Sequence, residues 1–318
     1  MLLNLEASNL SLLGAICRTL GWPLVKQKWL EQFDEAPLTL KSANHTETLV
    51  RVDNPECGIR LEIGGGEFAI MAGPCSVENE EQIVTTAEYV RANGAQILRG
   101  GAFKPRSSPY AFQGLGEAGL KLLAEARRRT GLAIVTELLD EADVDLVADY
   151  ADILQIGSRN SDNTSLHVAA ALTGKPILLK RGMAATVADF LRAANVILDH
   201  GNPNVLLCER GIRTFETATR NTFDAAAISL LKMISHLPVI ADPSHGCGRS
   251  ELVPALARVG VAAGADGMII EVHPTPQRAY SDGDQSLTFS EYSRMIAELE
   301  PWLATRKLNA SLFSEALA

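Results

Sequence analysis

The chain has 318 residues, of which 47% are hydrophobic and 21% are charged, the balance of a soluble globular protein. Its net charge of −9 argues against a nucleic-acid or anionic-membrane surface, so we expect neither partner. Its apolar runs fall short of the roughly 18 residues that a membrane helix needs. The five cysteines show no paired framework, which predicts a reduced, cytoplasmic protein.

The first 47 residues are predicted to form a small appendage. Strands are expected at Met1–Leu5 and Pro23–Trp29 around a helix at Asn9–Leu20, and Glu35–Glu47 is interpreted as a linker. This β-α-β unit is too short to hold much core of its own. We expect it to serve regulation or oligomerisation.

A β-hairpin is predicted next, with strands at Thr48–Val52 and Ile59–Ile63. Gly64–Gly66 then turns the chain directly into a further apolar run. We expect this hairpin to cap the bottom of the domain that follows.

From about Glu67 onward, short apolar runs alternate with amphipathic helices. Helices are predicted at Gly116–Thr130, Thr186–His200, Ser250–Ala263 and Ser290–Ala304, with Thr186 and Ser290 as N-caps. Eight runs are predicted to be strands: Phe68–Met71, Ala95–Leu98, Leu132–Val135, Ile153–Ile156, Pro176–Leu179, Asn204–Cys208, Val239–Ala241 and Gly267–Ile270.

This alternation over roughly 250 residues predicts an α/β fold, a (β/α)8 TIM barrel. A doubly wound open sheet is the rival fold, but the chain lacks a G-x-G-x-x-G motif after the first strand. The predicted domains are therefore the appendage at 1–47 and a catalytic barrel at 48–318 that includes the hairpin.

Every predicted strand end is polar, and in this fold reactive groups lie at the carboxyl ends of the strands. Cys75, His245, Glu271 and Asp282 supply a thiol, an imidazole and two carboxylates, a set that suits a first-row divalent metal. The remaining polar residues of these ends are Arg99, Lys104, Glu137, Gln155, Arg159, Lys180, Glu209, Arg210, Asp242 and His273.

The segment Gln96–Tyr110 indicates an anion site. Its strand ends in Arg99, two glycines let a ligand approach the backbone, and Lys104 and Arg106 follow. With Arg159, Lys180 and Arg210 the chain places six cations at strand ends of an acidic protein, which predicts two anionic substrates or one bisphosphate.

Several segments resemble 3-deoxy-D-arabino-heptulosonate 7-phosphate (DAHP) synthases of the class I beta branch, over about residues 60–300. They are MAGPCSVE (71–78), LRGGAFKPRSSPYAFQGLG (98–116), QIGSRN (155–160), LLKRG (178–182), LCERGIRTFE (207–216), ADPSHG (241–246), EVHP (271–274) and SDGDQSL (281–287). The resemblance implies a metal-dependent condensation of phosphoenolpyruvate with erythrose 4-phosphate and water. This reaction is the first step of the shikimate pathway to the aromatic amino acids.

The resemblance also implies roles for single residues. Cys75, His245, Glu271 and Asp282 match the metal ligands, for Mn, Fe, Co or Zn without distinction. Lys104 is implied to protonate the developing alkoxide, and either Glu209 or Asp242 to position the attacking water. The implied phosphoenolpyruvate site is Arg99, Lys104, Ser158, Arg159, Lys180 and Arg210; the implied erythrose 4-phosphate site is Lys104, Pro105, Arg106 and Ser107.

Three other functions stay open. One is 3-deoxy-D-manno-octulosonate 8-phosphate synthase, whose loop resembles Lys-Ala-Asn-Arg-Ser where this chain has Lys104-Pro105-Arg106-Ser107. The second is a non-catalytic paralogue that binds phosphorylated metabolites, and the third is a generic metal-dependent aldolase. The family resemblance implies a homo-oligomer, either a tetramer or a dimer.

Overall fold

The computed structural model describes residues 30–104, 110 and 112–315. Eight of its strands are parallel and form a closed barrel in chain order, in which the last strand pairs with the first. The strands are β1 (Val50–Asn54), β2 (Ile59–Ile63), β3 (Ala69–Gly73), β4 (Ile97–Arg99), β5 (Ala133–Leu138), β6 (Ile153–Ile156), β7 (Ile177–Lys180), β8 (Val205–Glu209), β9 (Val239–Ala241) and β10 (Gly267–Glu271). The predicted TIM barrel is confirmed, with β3 to β10 as its strands.

The helices alternate with the barrel strands along the chain, as predicted, and the last helix follows the last strand. They are α1 (Glu80–Ala92), α2 (Glu117–Thr130), α3 (Val144–Tyr150), α4 (Thr164–Leu172), α5 (Val187–Asp199), α6 (Ala225–Ile234), α7 (Pro243–Cys247), α8 (Val253–Ala262) and α9 (Phe289–Glu315). None of these helices combines the length and the apolar composition that crossing a bilayer requires.

The helix caps show how local sequence sets the helix ends. Thr186 caps α5, as the sequence predicted, and forms a capping box with Asp189. The predicted cap of the last helix was wrong by two residues, because Thr288 rather than Ser290 exchanges hydrogen bonds with Glu291. Thr288 is the N-cap because a capping box needs an acidic residue three positions after the cap, and Glu291 lies three positions after Thr288 but only one after Ser290.

The barrel strands alternate between two apolar layers. In β3, Ile70 and Ala72 pack outward against the helices, whereas Ala69 and Met71 point into the barrel. The inner layer also contains residues of the antiparallel hairpin β1–β2, namely Val50, Val52, Ile59 and Ile63. The hairpin therefore closes the barrel interior with apolar side chains, as predicted.

The segment interpreted as a linker is packed against the barrel. Ala36 and Thr39 are buried, and Leu40 forms a β-bridge with Ser235. Further contacts come from His236, whose Nε2 lies 2.8 Å from the Leu38 carbonyl oxygen and whose Nδ1 lies 2.7 Å from Thr48 Oγ1. The elements predicted at 1–5, 9–20 and 23–29 lie outside the described residues.

Candidate active site

A thiol and two carboxylates converge at the carboxyl ends of β3 and β10. The ligand atoms of Cys75, Glu271 and Asp282 all lie within 4.8 Å of one another, and Cys75 Sγ lies 3.2 Å from Asp282 Oδ2. His245 joins this group through its Nε2, which lies 3.5 Å from Glu271 Oε1. The structure thus places three of the four predicted metal ligands within 4.8 Å of one another and the fourth, His245, against Glu271. The chemistry of these residues fits a first-row divalent ion.

The imidazole of His245 is oriented by Asp242. His245 lies in the five-residue helix α7, which Asp242 caps by accepting from the His245 backbone N–H. Nδ1 of the ring lies 2.9 Å from Asp242 Oδ2, so Nε2 is the nitrogen left for the thiol and carboxylate group. Burial lowers the pKa of His245 although Asp242 opposes it, which favours the neutral ring that a metal needs.

The protonation of the other groups follows from burial and neighbouring charge. Burial, reinforced by Glu271, raises the pKa of the Cys75 thiol to about 11, so a bound cation would be needed to stabilise the thiolate. Burial would also raise the pKa of Glu271, but the neighbouring His245 and the Arg99 guanidinium hold it below its ordinary value. The same balance, with Arg220 as the largest opposing charge, lowers the pKa of Asp282.

A cavity of about 100 Å³ adjoins this group and is rich in positive charge. Its lining includes six cationic side chains, those of Arg99, Lys104, Arg159, Lys180, Arg210 and Arg220, together with Ser158. The Nε atoms of Arg99 and Arg210 are buried and have no hydrogen-bond partner among the described residues. Buried donors of this kind are costly unless a ligand accepts from them, so the cavity is suited to an anion.

Two cations connect the cavity with the thiol and carboxylate group. Lys104 Nζ lies 3.0 Å from Cys75 Sγ and 3.1 Å from the Cys75 carbonyl oxygen. Lys180 Nζ donates to Asp242 Oδ2 over 2.6 Å, so Lys180 and His245 share one carboxylate. Burial would raise the pKa of Asp242, but His245, which also hydrogen-bonds it, and the Lys180 ammonium group hold it well below its ordinary value.

Glu209 and Asp242 are both fully buried and are not among the residues that line the cavity. Glu209 Oε2 accepts from Arg181 and Oε1 accepts from the backbone N–H of Gly211, so both of its oxygens are occupied. This geometry favours a positioning role for Glu209 and Asp242 over direct contact with a water molecule in the cavity.

Sequence reasoning found Glu137 as a strand-end residue but gave it no role. Its carboxylate lines the cavity, and Gly157 provides the space for it, because a Cβ at position 157 would lie 1.8 Å from Glu137 Oε1. Arg220 and Gln285 were given no role. Neither lies at a strand end; Gln285 is part of the SDGDQSL segment, and Arg220 follows the LCERGIRTFE segment by four residues. The predicted aldose-binding residues Pro105, Arg106 and Ser107 lie outside the described residues.

Comparison with known proteins identifies the family. The model of the DAHP synthetase I family matches residues 43–304. A phospho-2-dehydro-3-deoxyheptonate aldolase of Thermotoga maritima is 51% identical over 240 residues, which cover 76% of this chain and 71% of the relative. A 2-dehydro-3-deoxyphosphooctonate aldolase of Syntrophotalea carbinolica is more distant, at 32% identity over 254 residues that cover 74% and 91% of the two chains.

Solved structures agree with the sequence comparison. The crystal structure of the Thermotoga maritima DAHP synthase superposes with a TM-score of 0.79 at 46% identity, covering 87% of this chain and 77% of that one. A truncated form of the Thermotoga maritima enzyme gives a TM-score of 0.77 at 43% identity, covering 88% and 98%. The chain therefore belongs to the DAHP synthetase I family.

Proposed function

We propose that the DAHP synthase activity of this chain is a metal-assisted condensation of phosphoenolpyruvate with erythrose 4-phosphate in the cationic cavity. The products are DAHP and phosphate, at the start of aromatic amino-acid biosynthesis. The observation that supports this most is the placement of six cationic side chains beside one thiol, one imidazole and two carboxylates. Six cations exceed what one phosphate group needs and therefore suit two phosphorylated substrates, and an electrophilic catalyst would activate the aldehyde acceptor.

Phosphoenolpyruvate is proposed to bind through Arg99, Lys104, Ser158, Arg159, Lys180 and Arg210. Arg159, Lys180 and Arg210 lie on the β6 to β8 side and are assigned to its phosphate. Arg99 and Lys104 lie beside the thiol and carboxylate group. The unpaired Nε atoms of Arg99 and Arg210 supply donors that no described side chain uses. An anionic substrate such as phosphoenolpyruvate would accept hydrogen bonds from both Nε atoms.

A divalent ion is proposed to be held by Cys75, His245, Glu271 and Asp282, where it would act as a Lewis acid toward the aldehyde carbonyl. Mn, Fe, Co and Zn all suit this set. When C3 of phosphoenolpyruvate attacks the aldehyde carbon, an alkoxide forms that requires a proton. Lys104 is proposed to supply it, because its ammonium group lies at the border between the cavity and Cys75.

The second half of the reaction needs a water molecule that adds to C2 before phosphate is lost. We assign the orientation of this water to Glu137, since its carboxylate lines the cavity whereas those of Glu209 and Asp242 do not. Asp242 orients His245 and Lys180. Glu209 holds Arg181 and the Gly211 backbone.

The aldose phosphate is proposed, from the sequence, to bind Lys104, Pro105, Arg106 and Ser107. The steady-state test follows loss of phosphoenolpyruvate and release of phosphate with either erythrose 4-phosphate or arabinose 5-phosphate. We expect kcat/KM to favour erythrose 4-phosphate by at least about tenfold, which needs about 1.4 kcal/mol of differential transition-state binding. Equal efficiency, or a preference for the longer sugar, would favour the octulosonate reaction. Binding of both substrates without turnover would favour the non-catalytic paralogue.

The cellular compartment of the protein is also a proposal. Cys57, Cys75, Cys208 and Cys247 are free thiols, which supports a reducing compartment such as the cytoplasm.

An exposed groove between α6, α8 and α9, with Val259 and Trp302 at its surface, supports a homo-oligomer, a tetramer or a dimer. Light scattering at several protein concentrations tests this assembly. A monomer at all of them would contradict it.

A further inference from the structure

Glu271 and Asp282 are joined by a chain of hydrogen bonds on the side away from Cys75. Gln285 Nε2 donates to Glu271 Oε2 over 2.7 Å, and Gln285 Oε1 accepts from Arg220 Nη1 over 2.9 Å. The same Nη1 donates to Asp282 Oδ1 over 3.1 Å. Gln285 is buried, and both the nitrogen and the oxygen of its side-chain amide take part in this chain of contacts.

Each carboxylate divides its oxygens between two directions. Asp282 turns Oδ2 toward Cys75 Sγ and Oδ1 toward Arg220. Glu271 turns Oε1 toward Arg99 and His245, whereas Oε2 accepts from Gln285. The Arg220–Gln285 bridge thus fixes the oxygens that do not face the thiol and imidazole, and through them the orientation of both carboxylates.

Asp282 has a particular need for such support. It is the one non-glycine residue with positive φ in the described part of the chain, at 50°. This conformation is strained for a residue with a side chain and persists only when its surroundings define it. Ser286 Oγ also donates to the Asp282 carbonyl, so residues 282–286 form a local unit that the Gln285 side chain ties to β10.

The charges explain why one member of the bridge is an arginine. A thiolate and two carboxylates carry a formal charge of −3, and a divalent ion leaves −1. Arg220 places a guanidinium directly on one of these carboxylates, while the amide of Gln285 passes the contact to the other without adding charge. On Glu271, Arg99 places its guanidinium against Oε1, the carboxylate oxygen that Gln285 does not contact.

We propose that Arg220 and Gln285 are positioning residues that hold Glu271 and Asp282 at the separation and orientation that a metal ion requires. This inference rests on the proposed metal centre but concerns residues outside its ligand set. Partners of this kind commonly contribute 10- to 100-fold to metal affinity. A competing role for Arg220 is that its charge occupies the place of the cation, and removal of the arginine would then tighten metal binding.

The test is a Co²⁺ titration of chelator-stripped protein, followed by the absorption band that a Cys75 thiolate gives when it binds Co²⁺. We expect Gln285→Leu and Arg220→Met to raise the Co²⁺ dissociation constant by about 10- to 100-fold. The double variant should bind about as weakly as either single one, because both residues act through one chain of contacts. Arg220→Lys should restore part of the affinity.

Arg249→Met is the matched control, since Arg249 is exposed and its side chain pairs with Glu251. Its dissociation constant should equal that of the unaltered protein. Arg220 is partly exposed, so its variants test the inference even where Gln285→Leu fails to fold. Unchanged affinity in the Arg220 and Gln285 variants, or tighter binding by Arg220→Met, would overturn the inference. A missing band in the unaltered protein would overturn the metal centre itself and the inference with it.

Discussion

Arg99 and Glu271 form a buried ion pair that joins the anion site to the proposed metal site. Arg99 Nη1 lies 2.9 Å from Glu271 Oε1 and 2.8 Å from the carbonyl oxygen of Pro74. The two side chains are only 5% and 1% exposed. Because Arg99 ends β4 and Glu271 ends β10, the pair links strands on either side of β3 across the barrel mouth.

Loss of this pair should destabilise the fold. Arg99→Met leaves a buried carboxylate without its guanidinium, and breaking such pairs costs about 3–5 kcal/mol. We expect urea unfolding at neutral pH to show a loss of this order. Arg51→Met serves as the control, because the Arg51–Glu62 pair is exposed and should contribute less than about 1 kcal/mol. Equal small losses in both variants would contradict the importance of the buried pair.

Gly157→Ala should reduce activity without unfolding the protein. A Cβ at position 157 would meet the far end of the Glu137 side chain, which can move, so the carboxylate rather than the backbone should be displaced. We expect kcat/KM to fall at least about tenfold, or about 1.4 kcal/mol, with little change in Tm.

Glu137→Ala provides the matched background for that substitution. If alanine at position 157 acts by displacing Glu137, it should have little further effect when the Glu137 side chain is absent. A further loss as large as in the unaltered protein would show that Gly157 acts by another route.

The barrel fold made it possible to predict much of the site from the sequence. A parallel barrel brings all carboxyl strand ends to one rim, so Cys75, after β3, and Glu271, in β10, had to be neighbours although they are far apart in sequence. The same rule located Arg99, Lys180 and Arg210. Resemblance to DAHP synthases then supplied roles that residue chemistry alone had left open.

What the sequence did not reveal lies in loops and in side-chain orientation. Arg220 is in a long loop after β8, and nothing in its spacing shows that it turns back onto Asp282. Glu209 ends β8 and Asp242 directly follows β9, but only the structure shows that both are fully buried and held by Arg181 and by Lys180 instead of lining the cavity. The supposed linker is packed because Ser235 and His236 offer it hydrogen bonds, a tertiary effect invisible to local propensity.

Removal of residues 1–29 should leave the chemistry intact, since every proposed site residue lies after them. A chain that begins at Leu30 is expected to keep its turnover. A chain that begins at Ala43 also loses the buried side chain of Phe33 and should be far less stable, because truncation of a buried Phe alone costs about 3–5 kcal/mol. The test measures turnover and Tm for both chains. A folded but inactive chain that begins at Leu30 would refute the claim that residues 1–29 are not needed for the chemistry.

The stability of the protein should fall in mild acid, in part through His236. Burial lowers the pKa of His236 below its ordinary value of 6.5, so the unfolded chain takes up a proton before the folded one does. The stabilising effect is therefore complete above about pH 6.5 and is lost as the pH falls toward the lower folded pKa. For each proton that the chain takes up on unfolding, the free energy of unfolding falls by about 1.4 kcal/mol per pH unit of acidification.

The free energy of unfolding between about pH 7.5 and about pH 5.5 should thus depend less on pH in His236→Gln than in the unaltered protein. His45→Gln is a suitable control, because His45 is exposed. An equal pH dependence in all three proteins would show that His236 does not contribute.

Turnover of phosphoenolpyruvate with erythrose 4-phosphate, measured before and after metal removal, tests the central claim most directly. Because Cys75, His245, Glu271 and Asp282 are proposed to hold the catalytic ion, treatment with a chelator should abolish turnover. Added Mn²⁺ or Co²⁺ should restore it in the unaltered protein but not in Cys75→Ala. Full turnover by metal-free protein, or by Cys75→Ala, would contradict the account.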